Sequence, residues 1–313
     1  MTIFILFFLL IGGAIDYFYF DVFTAAGPAL PVATLFSLAL ATFMTLTAYY
    51  GGSDIILSSL GAEKLNLALP EHRELHNIVT EMALASGAPM PRIFVIYDPA
   101  PNALATGTND KNAAICVTSG LLTALDREQT QGVIAHEISH ICNDDVLLMT
   151  LVSILLGGIA ILADFGRRGM YSSRAGRRFG RKNLLMGIPL LILIALSPLI
   201  ARLLAMAVSR QREYFADATA AQFTRNPRGL ARALETIHDQ AMPFHKASRG
   251  TAQLFFVNPL RRWVNERDGK LADLLASHPP IERRIALLDR MAGVAQPAIP
   301  SSQVQNPNLQ EMR

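Results

Sequence analysis

Val133-Ile134-Ala135-His136-Glu137-Ile138-Ser139-His140-Ile141 is the stretch around which the chain is organised. Histidines four apart on a helix stand one above the other on the same face, so two imidazoles can grip one metal ion. Zinc takes imidazole nitrogen readily, and catalytic zinc sites use three protein ligands and keep one position for water. Glu137 lies about 100° around the helix from His136, where its carboxylate can reach that water without replacing it. His-Glu-x-x-His is thus the spelling of a zinc hydrolase. The bland alternative is two ordinary histidines on an amphipathic helix, and the flanks argue against it. Asp126 with Gln129 three residues later predicts a capping box, so a helix starts there and runs through the histidines. Val133, Ile134, Ile138 and Ile141 give that helix a face to hold against a core. A second pair, His72 and His76, has its glutamate at Glu74, about 200° around from His72, and reads as a solvated helix face.

The 313 residues are 51% hydrophobic and only 17% charged, against about 25% charged in a soluble domain. That deficit points to a membrane. Formal net charge is +3, which gives little reason to expect nucleic acid as a partner. Two cysteines, Cys116 and Cys142, make no disulfide framework and are expected as buried thiols.

Taken in order, residues 1–50 predict a transmembrane hairpin. The first apolar run, Ile3 to Phe20, is broken only by Asp16 and has no preceding basic residue, which favours a retained span over a cleaved leader. The second, residues 29–50, ends in Tyr49-Tyr50 at a plausible interface. Residues 51–145 are soluble in character. A helix is expected from Leu67 to Ser86, ended by Gly87 and Pro89. Three short extended segments follow, at Arg92–Tyr97, Asn102–Gly107 and Ala113–Thr118, then the histidine helix. A small sheet beside that helix is the economical arrangement, and an exposed edge of it suits an extended peptide. Residues 146–208 predict a second hairpin, with apolar runs at Val146–Ala163 and Leu184–Val208. The connection at 167–182 carries seven basic residues. Pro189, Pro198 and Arg202 fall within the last run, where prolines are tolerated.

Residues 209–292 are again soluble and helical. Glu213 and Asp217, four apart on one helix face, supply the missing third ligand and a carboxylate to fix the tautomer of a ligating imidazole. An ordinary surface pair is the competing reading. Asp144 and Asp145 are further candidates for such support, Asp145 foremost. Helices are expected at Arg228–His238 and from Pro279 or Pro280 through Met291. The apolar Leu254–Leu260 lies between them, near membrane or substrate. Residues 293–313, rich in Pro, Gln, Ser and Asn, have the composition of a disordered tail.

The chain resembles the HtpX-type membrane zinc endopeptidases, relatives of the CaaX prenyl proteases. The resemblance rests on His136–His140, on Glu213-Tyr214-Phe215-Ala216-Asp217, on Asn102-Ala103-Leu104-Ala105-Thr106-Gly107 and on Ser277 to Ile285, in the family's order among four apolar runs. It covers residues 1 to about 290. It implies one zinc ion on His136, His140 and Glu213, and Glu137 as catalytic base. It also implies a substrate cleft lined by Asn102, Ala103 and Leu104 as an edge strand. His278 is similar to a histidine near the zinc in that family, with oxyanion stabilisation and helix capping as competing roles. The basic 167–182 loop is a departure that the family pattern does not require.

The fold expected is α+β and mostly helical: an integral membrane protein with about four transmembrane helices and a gluzincin-like zinc peptidase domain containing a small β-sheet. The activity expected is endopeptidase cleavage of unfolded or membrane-protein substrates, in quality control at the cell inner membrane. A CaaX-type prenyl protease and a zinc-stabilised scaffold are the alternatives. The scaffold needs a fourth protein ligand, for which His238, His245 and His278 are the remaining histidines in the C-terminal part. The acidic, lysine-free 21–28 connection belongs outside, which places the active site in the cytoplasm. The same scheme exports the basic loop, against the positive-inside rule.

Overall fold

The apolar N-terminus folds as two paired helices. In the computed structural model, which describes residues 2–19, 30–172, 210–240, 242, 244, 251–257 and 279–294, α1 is Thr2–Tyr19 and α2 is Val32–Ser59. Pro31 precedes α2 and provides no side-chain cap, so the acceptor comes from α1. The buried Asp16 carboxylate accepts hydrogen bonds from the backbone N–H groups of Ala33 (3.0 Å) and Thr34 (2.7 Å) and from the Thr34 hydroxyl (2.6 Å). A carboxylate there satisfies orphan donors and complements the helix dipole. This accounts for the one charge in the first apolar run. The two helices also touch at Gly12, where a Cβ would lie 2.7 Å from the Thr34 Cα. On its outer side α2 exposes Phe36, Phe43, Leu46 and Tyr50.

Among the described residues, α2 is the one helix long and apolar enough to cross a membrane by itself; α1 is apolar but shorter. The third apolar run lies in the helix α6, Asp145–Ser172. Phe4, Phe7, Phe8, Ala41, Val152, Leu155 and Ile159 form one cluster that joins α1, α2 and α6. The fourth run, 184–208, lies outside the described residues, as do most of the basic loop and the tail beyond 294. Of the four expected spans, the described part contains one clear apolar helix.

The chain next builds a four-stranded mixed sheet from β1 (Glu63–Lys64), β2 (Arg92–Ile96), β3 (Ala103–Thr106) and β4 (Ala114–Thr118), in the order β1-β2-β4-β3. β2 and β4 run parallel, while β3 is antiparallel to β4 and stands at the edge. Both faces are covered, so the strands read as nearly continuous apolar runs rather than as alternating ones. Ile93, Val95, Ala103, Ala105, Ile115 and Val117 face a helical core that includes Val133, Ile134 and Ile138. Phe94, Ile96, Leu104 and Cys116 face Ile56, Leu57 and Leu60 of α2 and Met149 of α6.

Helix α3 (Pro70–Ser86) and the short α4 (Ser119–Ala124) flank the sheet, and α5 (Arg127–Cys142) carries the two histidines. The expected capping box forms, with Asp126 accepting from the Gln129 N–H and Gln129 accepting from the Asp126 N–H. From Gly132 through Ile141 every residue is buried. Helices α7 (Arg210–Thr224), α8 (Pro227–Asp239) and α9 (Ile281–Met291) close the core around α5. At the far end of α5, Asp144 takes a left-handed φ of 58°, and α6 leaves at 89°.

Three sequence expectations are corrected. His72 is buried rather than solvated, because its Nδ1 accepts the Asn66 N–H at 3.1 Å as the chain folds back over the start of α3. Cys142 is exposed at the last residue of α5, whereas Cys116 is buried in the sheet. The second apolar helix runs nine residues past Tyr50, to Ser59. Gly51-Gly52 does not stop it, because the bare Gly52 admits Thr150 of α6, whose Cγ2 would lie 2.9 Å from a Cβ there.

The approach of α8 to α5 depends on Gly132. A Cβ at this position would lie 2.8 Å from the Leu230 backbone. Gly132→Ala is therefore expected to destabilise the fold by about 1–3 kcal/mol, read as a lower thermal unfolding midpoint of the detergent-purified protein.

Candidate metal centre

Three helices deliver the polar side chains to one point. His136, Glu137 and His140 come from α5, Glu213 and Asp217 from α7, and Arg284 from α9, and none of the six is more than 3% exposed. The Nε2 atoms of His136 and His140 are 3.2 Å apart. Glu213 Oε2 lies 3.8 Å from the first and Oε1 3.7 Å from the second. Tetrahedral bonds of 2.0–2.1 Å to one ion would set donor atoms about 3.3 Å apart. The separations match.

The outer nitrogens explain why the inner ones face each other. His136 Nδ1 is 3.0 Å from Asp217 Oδ1, and His140 Nδ1 is 3.1 Å from Asp145 Oδ2. An N–H donated to each carboxylate fixes the tautomer and turns the Nε2 lone pair inward. Two lone pairs and a carboxylate then converge in a buried spot. This donor set fits a divalent cation of the zinc type.

The electrostatics follow the same division of roles. Burial first, and the nearby Arg284 and His140 charges next, bring His136 down to about 4 against the pull of Asp217, so its ring is neutral. Burial also opposes protonation of His140, but Asp145, Glu213 and Glu137 outweigh it and raise its pKa. Glu137 is pushed up to about 8, by burial above all, with Glu213 adding to it and His140 opposing; its carboxylate also accepts the Ala105 N–H of β3. Burial works to raise Asp217 too, yet the Arg284 charge and the hydrogen bonds from His136 and Arg284 hold it below its usual range.

Arg284 was quoted in the sequence without a role, and it is the most consequential residue there. It is fully buried and grips Asp217 with two bonds, Nε to Oδ2 at 2.8 Å and Nη2 to Oδ1 at 2.7 Å. Its Nη2 also comes within 3.4 Å of His136 Nδ1, a close approach of two donors that share one carboxylate. Its Cζ lies 4.8 Å from the Phe256 ring centroid, within cation–π range. A signal existed: Arg284 occupies the inner stripe of α9 with Ile281, Ile285 and Leu288, where a charge must find a partner.

The remaining expected residues are distributed as follows. Asp145 reaches His140 and is itself 3.5 Å from Arg212 Nη1, whereas its neighbour Asp144 is exposed at the bend. Asn102, Ala103 and Leu104 are buried at the start of the edge strand, beside the Glu137 contact at Ala105. His238 is exposed at the end of α8, outside the cluster. His245 and His278 lie outside the described residues.

Comparison with known proteins agrees with this geometry. The model of peptidase family M48 matches residues 70–292. A protease HtpX homolog of Caldanaerobacter subterraneus subsp. tengcongensis is 47% identical over 257 residues, 80% of this chain and 82% of the relative. The protease HtpX homolog of Pyrococcus abyssi is 38% identical over 260 residues, 82% of this chain and 86% of the relative. Among solved structures, Ste24p of S. mikatae shares the fold, with a TM-score of 0.52 at 18% identity; the match covers 90% of this chain and 61% of that one.

Two substitutions test the centre. Asp217→Asn is expected to weaken divalent-metal binding by roughly 10–100-fold, measured by competition with a chromophoric chelator. Arg284→Met leaves the Asp217 carboxylate buried without its guanidinium and is expected to cost about 3–5 kcal/mol, measured by unfolding of the metal-free protein.

Proposed function

Because the chain belongs to peptidase family M48, and so is a membrane-bound metallopeptidase, we propose that it is a zinc endopeptidase acting on extended segments of unfolded or damaged membrane proteins. The observation that carries this reading is the convergence of His136, His140 and Glu213 beside Glu137 and the edge strand. These three residues would hold one zinc ion. When bound, zinc supplies a Lewis acid that lowers the pKa of water to about 7 and polarises the scissile carbonyl.

The chain's own groups do the rest. Glu137 takes a proton from the attacking water and hands it to the amine nitrogen as the C–N bond breaks. A carboxylate buried on the same helix as the two histidines is placed for both halves of that transfer. Asp217 and Asp145 hold the two imidazoles in one orientation throughout. The Ala103 carbonyl lies on the side of β3 turned away from β4, and an extended substrate adds there as a strand. Such a bond pattern is blind to side chains, which suits a peptidase that clears many different sequences.

The membrane reading extends this. The paired α1 and α2 and the apolar α6 support a multi-pass protein of the cell inner membrane. The acidic 21–28 connection favours a cytoplasmic active site. The open catalytic reading is supported by the three ligands His136, His140 and Glu213 gathered with Glu137 beside them, since a catalytic site keeps one position for water.

Glu137→Gln keeps the ligands and removes the base. It is expected to retain zinc at wild-type stoichiometry while casein cleavage in detergent falls by about 10²–10⁴. Cleavage by the variant at the wild-type rate would refute the mechanism.

A further inference from the structure

The open side of β3 is not bare. The chain returns after a 3₁₀ turn at Ala252–Leu254 and lays Phe255 against Leu104 in an antiparallel bridge. The Phe256 N–H donates to the Ala103 carbonyl at 2.8 Å. The Asn102 side chain takes both polar groups of the next residue: its Nδ2 donates to the Val257 carbonyl at 2.7 Å, and its Oδ1 accepts the Val257 N–H at 3.1 Å. Each of these is a contact an incoming peptide strand would make. The Phe256 ring meets His136 edge-on, with centroids 4.9 Å apart, and the Phe256 carbonyl lies 3.4 Å from Arg284 Nη1.

We propose that Phe255–Val257 is a built-in pseudosubstrate, a strap that occupies the peptide-binding edge beside the metal ligands and must withdraw before a substrate can pair with β3. The proposal rests on the reading of β3 as the substrate edge. Geometry separates the strap from an ordinary fifth strand. It makes a single bridge, Leu104 to Phe255, and the residues before it coil into the 3₁₀ turn at Ala252–Leu254 instead of continuing along β3. Its bonds fall on backbone groups of β3 and on one amide side chain, the elements a sequence-tolerant site presents.

The strap is also fastened away from the site. Leu254 and Phe255 are buried among Ile56 and Leu57 of α2 and Met149 of α6, and Phe244 packs against Phe255 with ring centroids 4.8 Å apart at a 59° tilt. Withdrawal therefore means breaking apolar contacts with the two apolar helices that flank the sheet. The competent population is then a fraction of the whole, and apparent affinity for substrate is reduced by that fraction.

The test locks and releases the strap in the zinc-loaded, detergent-purified full chain. Leu104 and Phe255 face each other across the bridge, and paired positions of this kind accept a disulfide. Leu104→Cys with Phe255→Cys is built on Cys116→Ala and Cys142→Ser, because Cys116 is the β4 partner of Leu104. Oxidation is expected to lower cleavage of a quenched peptide by at least about tenfold and phosphine reduction to restore it, as a fixed strap leaves almost no competent fraction. The parent lacking the two new cysteines is expected to ignore both treatments. Val257→Pro removes the N–H given to Asn102 and is expected to lower KM on the order of three- to tenfold with kcat nearly unchanged. Oxidised protein that cleaves as fast as reduced protein, or a Val257→Pro enzyme whose KM stays level or rises, overturns the strap. If the reduced double-cysteine protein is itself inactive, Val257→Pro decides alone. Glu137→Gln in the same background keeps the two readings apart. If Glu137→Gln is dead and the enzyme that keeps Glu137 does not respond to locking, the strap alone falls, whereas an active Glu137→Gln enzyme removes the peptidase mechanism beneath it.

Discussion

One carboxylate, that of Asp217, sits between a guanidinium and an imidazole, and the centre depends on that sharing. Its two oxygens take two bonds from Arg284, and one of them also lies 3.0 Å from His136 Nδ1. Ionised Asp217 is tolerable at this depth only because Arg284 is beside it. Ionised, it holds the His136 tautomer that turns Nε2 inward. Three helices from distant parts of the chain, α5, α7 and α9, are thereby joined through one buried ionic contact. Asp145 repeats the device for His140 at lower stakes, since its Arg212 partner is half-buried rather than sealed.

The apolar part of the molecule is tied to this centre by close contacts. Thr150 of α6 shares a 2.9 Å hydroxyl contact with Thr106 at the end of β3 and accepts the Gly107 N–H at 3.0 Å. Gly52 lets α2 lie against the same threonine. The edge strand is thus pinned to α6 at its end, and β4 supports it along its length. These contacts tie it to the elements around α5, the fixed position that the proposed peptide-binding edge requires.

Much of this was legible in the sequence, for physical reasons that can be named. The His136–His140 spacing is a statement about helical pitch, and Asp126 with Gln129 is a statement about unsatisfied N–H groups; both are local. The candidate third ligand is legible because Glu213 and Asp217 repeat the four-residue spacing, and the structure brings Glu213 to the two histidines. Long-range choices were less visible. Nothing local to Arg284 names Asp217, 67 residues away, as its partner, although a charge on an apolar stripe demands one. The burial of His72 depends on a loop folding back over its helix, and the exposure of Cys142 on where α5 turns into α6. In sequence the strap reads only as an apolar stretch near membrane or substrate, since its contacts are backbone bonds that any residues but proline could make.

The distance along the chain between His136 and Arg284, 148 residues, has a consequence for biogenesis. Ribosomal synthesis delivers the two histidines first, then Glu213 and Asp217, and α9 after both. Until Arg284 arrives, Asp217 has no counter-charge with which to enter the core, and the His136 imidazole has no fixed acceptor. Closing so long a loop is slow relative to local helix formation. The centre is therefore incomplete until α9 has been made, and the fold itself places the assembly of the site after the synthesis of its own histidines.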